Sequence, residues 1–127
     1  SPSTPALSVM FALQVQLQRM QAEGMTNRWA RHAAMAERTY EWVDEMRAAG
    51  VDLEVLAPEG YRSPCVTAIK APGDLATEAP KKMKERGYVI GGGYGKLKPT
   101  TFRIGHMGDH TVDGLSAMLG ELSEVVK

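Results

Sequence analysis

The chain has a single cysteine, Cys65, among 127 residues. That excludes an internal disulfide framework and a metal site built from cysteines, and it fits a reducing compartment, the cytoplasm. There is no excess of one charge: 15 basic side chains balance 15 acidic ones. Nothing in that balance points to a nucleic-acid or anionic-membrane surface. No stretch approaches the roughly 18 apolar residues of a membrane span. No basic stretch precedes an apolar run at the N-terminus, as a signal peptide would require. No repeat and no low-complexity segment is found. What is present is ordinary for one globular domain with a small core, at 43% hydrophobic and 24% charged residues. The chain opens at Ser1 rather than Met and enters a helical pattern almost at once, which fits a piece of a longer protein.

Thr4 is a good helix N-cap, and Pro5 suits the first helical position. Leu7, Met10, Phe11, Leu13, Leu17 and Met20 then recur at helical spacing up to Gly24. A second helical pattern, with Trp29, Met35, Ala36, Tyr40, Val43 and Met46, runs from about Asn27 to Ala49 and stops at Gly50. The short turn between them predicts two amphipathic helices paired antiparallel.

The pattern then changes. Val51–Leu56 alternates as a half-buried strand does, Pro58-Glu-Gly60 reads as a turn, and Val66–Ile69 is a second strand. A short helix follows Asp74 and ends at Gly87, with Pro80 tolerable only in its first turn. Tyr88–Ile90 and Thr101–Ile104 are predicted strands around a glycine loop. Thr111 can cap a last helix that carries Val112, Leu115, Met118, Leu119, Leu122 and Val125 on one face. The order predicts an α+β domain over residues 1–127: a small, mostly antiparallel sheet with helices packed on one face.

Arg103 is the leading site candidate. It is the one arginine of a short apolar strand between two glycine-rich stretches. Such an arginine is costly unless it meets an anion or solvent. Glycines nearby let backbone and small ligands approach. A planar guanidinium grips a carboxylate through two parallel hydrogen bonds, which lysine cannot do. The competing reading is a strand arginine that simply points to water.

Gly91-Gly-Gly-Tyr-Gly-Lys96 is not a phosphate-binding loop: its spacing is one residue short, and Leu97 follows the lysine. It is not a dinucleotide loop either, since no helix opens just after it. His106, Asp109 and His110 read as loop polar residues rather than a metal site, with His106 able to shape a pocket. His32 is expected on the surface of the second helix. Cys65 leads into an apolar strand, a context for a small buried hydrophobe rather than a nucleophile. Trp29, Phe11 and Met35 are expected in the core or at a subunit contact.

The strings Gly87-Tyr-Val-Ile-Gly-Gly-Gly93 and Phe102-Arg-Ile-Gly-His-Met-Gly108, with the opening Ser1-Pro-Ser-Thr-Pro-Ala-Leu-Ser8, resemble the C-terminal part of class V pyridoxal-phosphate aminotransferases. The nearest likeness is to the alanine–glyoxylate and serine–pyruvate branch. Gln21-Ala-Glu-Gly-Met-Thr-Asn-Arg28 is similar to the family's helix–Glu-Gly–helix junction, and the likeness covers essentially the whole chain.

The resemblance implies a fold-type I enzyme, working as a homodimer, in which pyridoxal 5'-phosphate forms a Schiff base with a lysine while an aspartate holds the ring nitrogen. Both residues belong to a large domain that precedes this segment. None of Lys70, Lys81, Lys82, Lys84, Lys96, Lys98 and Lys127 matches the Schiff-base position. The chain is then a C-terminal small domain, inactive alone. The resemblance implies that Arg103 binds the substrate carboxylate and that Thr4, or its neighbour Ser3, reaches the cofactor phosphate of the neighbouring subunit. Substrates would be an amino acid of the alanine or serine type and a 2-oxo acid of the glyoxylate or pyruvate type. The competing function is a stand-alone module that binds an amino acid or docks a partner without catalysis.

Overall fold

Glycines and tertiary packing set the element boundaries in the computed structural model, which describes residues 3–127. Ser1 and Pro2 of the opening string lie outside the described residues. The chain divides into two compact units, one ending at Arg31 and the other spanning His32–Lys127.

In the first unit, helix α1 (Leu7–Glu23) is capped by Ala6 with no side-chain cap bond, so Thr4 does not act as the cap. None of its side chains is buried. Leu7, Val9, Met10, Phe11, Leu13, Val15 and Leu17 are each 48–65% exposed. At about 100° per residue these positions fall around the whole circumference rather than on one stripe, so α1 is not amphipathic as the spacing predicts.

Helix α2 (Met25–Ala48) begins one residue later. Gly24 adopts φ 83°, donates its N–H to the Met20 carbonyl (2.9 Å) and accepts at its own carbonyl from the Arg28 N–H (3.0 Å). The short turn expected between the two helices is a single residue, Gly24, shorter than the loop of about two to five residues that joins a helical hairpin. Across the junction Glu23 accepts from Arg31 Nε (2.6 Å) and Nη2 (3.0 Å) and from Arg28 Nη1 (3.1 Å). The Arg31 hydrogen bond, then that of Arg28, holds the Glu23 carboxyl below its usual range against partial desolvation.

The second unit is built on a four-stranded antiparallel sheet in the order β1-β2-β4-β3. Its strands are β1 (Glu54–Val55), β2 (Val66–Lys70), β3 (Gly91–Gly92) and β4 (Thr101–Gly105). Helix α3 (Leu75–Glu85) packs on β4 and on α4 (Val112–Val126). Ile69, Phe102 and Ile104 from the sheet join Met35, Trp42 and Val43 of α2, Ala79 and Met83 of α3, and Leu119 and Leu122 of α4 in one core. Helices therefore cover one face of the sheet, as expected.

Several boundaries differ from the sequence pattern. The strand predicted over Val51–Leu56 pairs only at Glu54 and Val55. Ahead of it, Leu53 donates to the Val51 carbonyl (2.8 Å) in a tight turn that buries its side chain. Tyr88–Ile90 forms no ladder: the Tyr88 N–H is taken by the Met83 carbonyl at the end of α3 (2.9 Å), so pairing begins at Gly91. Pro80 lies inside α3, beyond its first turn. The lost backbone bond is offset by burial of Ala76, Ala79 and Met83 on the same helix. Thr111 caps α4 as predicted, accepting from the Gly114 N–H at 3.1 Å. At the far end of α4, Val126 is buried and Val125 only partly so.

Candidate functional site

Alternation along β4 divides its side chains between the two faces of the sheet. Phe102 and Ile104 are 0% exposed on the core face, so Arg103 between them stands on the open face. The register then defines its surroundings. Arg103 lies directly opposite Ala68 of β2 on one side and Gly91 of β3 on the other. Paired residues share a face, and Gly105, two residues along, shares it too. Arg103 thus has small residues, Ala68 and Gly91, directly opposite it on both sides.

Its direction is set by β3. Arg103 Nε donates to the Gly92 carbonyl at 2.7 Å. A Cβ added at Gly91 would lie 3.4 Å from both Cβ and Nε of Arg103 and 3.5 Å from Nη2. The side chain therefore lies against β3, in ordinary contact with the point where a β-carbon at Gly91 would stand. Nε is engaged on an exposed side chain, and the two terminal nitrogens are donors of the kind that meet a carboxylate in parallel.

Beyond Gly92 the backbone turns through a single 3-10 turn, Gly95–Leu97, with Gly95 at φ 56°. Gly93 cannot carry a side chain: a Cβ there would fall 2.5 Å from the Leu97 carbonyl and from Thr101 Oγ1. The glycine run is a close backbone crossing beside Arg103.

The end of β4 is fixed by His106, which is fully buried rather than part of a pocket wall. Its Nε2 lies 2.8 Å from Thr67 Oγ1 and its Nδ1 3.2 Å from the Pro64 carbonyl. A neutral ring with its proton on Nδ1 satisfies both, donating to Pro64 and accepting from Thr67. Burial pushes the His106 pKa below the ordinary value. His32 is half-buried, not a plain surface residue, with Nε2 3.4 Å from the Gly108 carbonyl. Cys65 is also half-buried. Met35 is core, whereas Trp29 and Phe11 are 64% and 63% exposed. No group of three or more metal-ligating side chains occurs among the described residues.

Ser3 and Thr4 are exposed in the segment ahead of α1 and belong to the first unit, Arg103 to the second. All seven lysines are exposed. A lysine on the open surface has nothing about it to grip an aromatic ring. The residues of this chain therefore do not fit a covalently held pyridoxal phosphate, and they supply no step through that group. Sequence reasoning found Arg103 and its glycines. It missed Ala68 and the Gly92 carbonyl, whose part depends on strand register, which only the fold reveals.

Comparison with known proteins places the fold first. It is that of the C-terminal domain of fold-type I pyridoxal-phosphate aminotransferases. Pyridoxamine–pyruvate aminotransferase from Mesorhizobium loti, 29% identical, superposes with a TM-score of 0.83 over 98% of this chain and 32% of its own. By sequence, its homologues are class V aminotransferases, and the chain matches their C-terminal portion. Serine–glyoxylate aminotransferase of Methylorubrum extorquens is 35% identical over 85% of this chain and 26% of its own length. A protein named soluble hydrogenase, small subunit, from Synechococcus sp., is 35% identical over 96% and 33%. The chain spans about a third of the length of the curated relatives it matches. No family model matches the sequence.

Proposed function

We propose that this chain is the small domain of a longer pyridoxal-phosphate-dependent aminotransferase and that Arg103 is its grip on the substrate carboxylate. The observation that carries the reading is the guanidinium held by Gly92 on an open floor of Ala68, Gly91 and Gly105. Every amino acid and 2-oxo acid in such a reaction carries a carboxylate, and a bidentate guanidinium recognises it irrespective of the rest of the molecule. The relatives' names suggest glyoxylate or pyruvate as acceptor and a small amino acid, of the serine or alanine type, as donor. The large domain would supply the cofactor's lysine and aspartate, the assembly would be a cytoplasmic homodimer, and this chain alone would be inactive. Thr4, or Ser3 beside it, would offer a hydroxyl to the cofactor phosphate of the neighbouring subunit, in keeping with their exposure ahead of a helix. A hydrogenase reading finds no support in this stretch, because one cysteine cannot provide the thiolate set of an iron–sulfur cluster.

The test is steady-state kinetics of the full-length protein with Arg103→Lys and Arg103→Ala. Loss of a charged bidentate contact of about 1.5–3 kcal/mol predicts a fall in kcat/KM of roughly 10–100-fold or more for both substrates. The cofactor absorbance should be unchanged. Normal kinetics in Arg103→Ala would overturn the assignment.

A further inference from the structure

Arg103 approaches Gly91 closely, although nothing in the backbone requires a glycine there: Gly91 is absent from the positive-φ glycines, and as part of a ladder strand it has room for a β-carbon in conformational terms. What borders that position is the Arg103 side chain itself, 3.4 Å from where a Cβ would stand. That distance is ordinary contact for a methyl group. A branched side chain adds two further carbons on the same face, where Nε and Nη2 already lie. Gly93, two residues on, is different: there the clash is with backbone, and no side chain fits.

We propose that Gly91 is a positioning residue, the empty slot of β3 in which the Arg103 guanidinium lies, with the Gly92 carbonyl fixing its direction toward a carboxylate ligand. The inference rests on the proposed carboxylate role of Arg103 and adds to it what aims the arginine. Without the slot the stem must swing off β3, the bond from Nε to Gly92 breaks, and the two-nitrogen edge loses its fixed direction. Preorganisation of this kind matters because a long arginine otherwise loses rotamer freedom when it binds. The slot also sets a size order: alanine at 91 is tolerated, and valine is not.

The experiment uses the 15N-labelled full-length protein and two readouts. The first is solvent exchange of the Arg103 Nε–H, which is protected if it is bonded to Gly92. The second is titration with glyoxylate as the carboxylate probe, followed on the same resonance. Gly91→Val should lose the protection and bind glyoxylate roughly tenfold or more weakly, while Gly91→Ala keeps both. Backbone amide spectra of the core strands, the same in all variants, separate this from unfolding, which Gly91→Ala checks independently. Protection kept in Gly91→Val, or affinity unchanged when protection is lost, would overturn the proposal. Wild-type protein that shows a protected Nε–H but no response to glyoxylate would instead sink the carboxylate reading of Arg103 and leave the slot standing.

Discussion

Helix α1 and helix α4 carry similar densities of apolar side chains at helical spacing, yet one buries none of them and the other buries five. The difference lies in where those residues fall. On α4 the sequence Leu115, Met118, Leu119, Leu122, Val126 keeps to one stripe, which meets α3 and joins the common core. On α1 the apolar residues run around the cylinder. Periodicity says that a segment is helical; it does not say that the helix has found its core. A helix apolar all round ordinarily lies in the interior of something larger, which agrees with a chain one third as long as its relatives.

The comparison is most sharply tested by truncation. Phe102→Ala in the core should cost about 3–5 kcal/mol in urea unfolding, whereas Phe11→Ala on α1 should stay within about 0.5 kcal/mol. A large cost for Phe11→Ala would mean that α1 is packed in solution.

Next in size is Gly93→Ala, which drives a β-carbon into the Leu97 carbonyl and Thr101 and should destabilise by about 1–3 kcal/mol. By contrast, Gly60→Ala, at φ 86° with open space around it, should cost only its backbone strain, about 1–2 kcal/mol.

His106 gives a pH signature to the second unit alone. Its folded pKa is depressed below the ordinary 6.5, so the unfolded chain binds its proton first as pH falls. The stabilisation from a neutral buried ring is complete above about 6.5, declines as pH drops below it, and is fully lost below the folded pKa. Replacement by a residue that does not titrate, His106→Gln, should flatten that slope in chemical unfolding measured between about pH 7 and 5.

The smallest effect belongs to the first unit. Glu23→Gln removes the charge that Arg31 and Arg28 share across Gly24. A slight loss of helical circular dichroism is expected, and none at acid pH, where the wild-type carboxyl is itself protonated. Since the Glu23 pKa is lowered, that ion cluster persists above 4.5 and fades only as pH falls through the lower value.

Much of this was legible in the chain. Element order, the glycine stops at Gly24, Gly50 and Gly87, the Thr111 cap and the core face of α4 follow from local chemistry. So does Arg103, because a charge between Phe102 and Ile104 must face away from them. What local chemistry could not supply was long-range. Tyr88–Ile90 has a strand's composition, but its first N–H is claimed by α3. Ala68 carries no signal at all until register sets it opposite Arg103. Gly24 signalled a helix end, and the same residue also begins the next helix.

The strand order has a consequence for how the protein is made. β4 lies between β2 and β3, yet it is the last of the four to be synthesised. Until residue 105 has left the ribosome, β2 presents an unpaired inner edge and β3 has no partner. The Arg103 floor cannot exist in any shorter nascent chain, and the pairing that creates it must close a loop of about thirty residues between Lys70 and Thr101. A stall or premature stop in the glycine run at 91–95 would leave that open edge as a template for another chain.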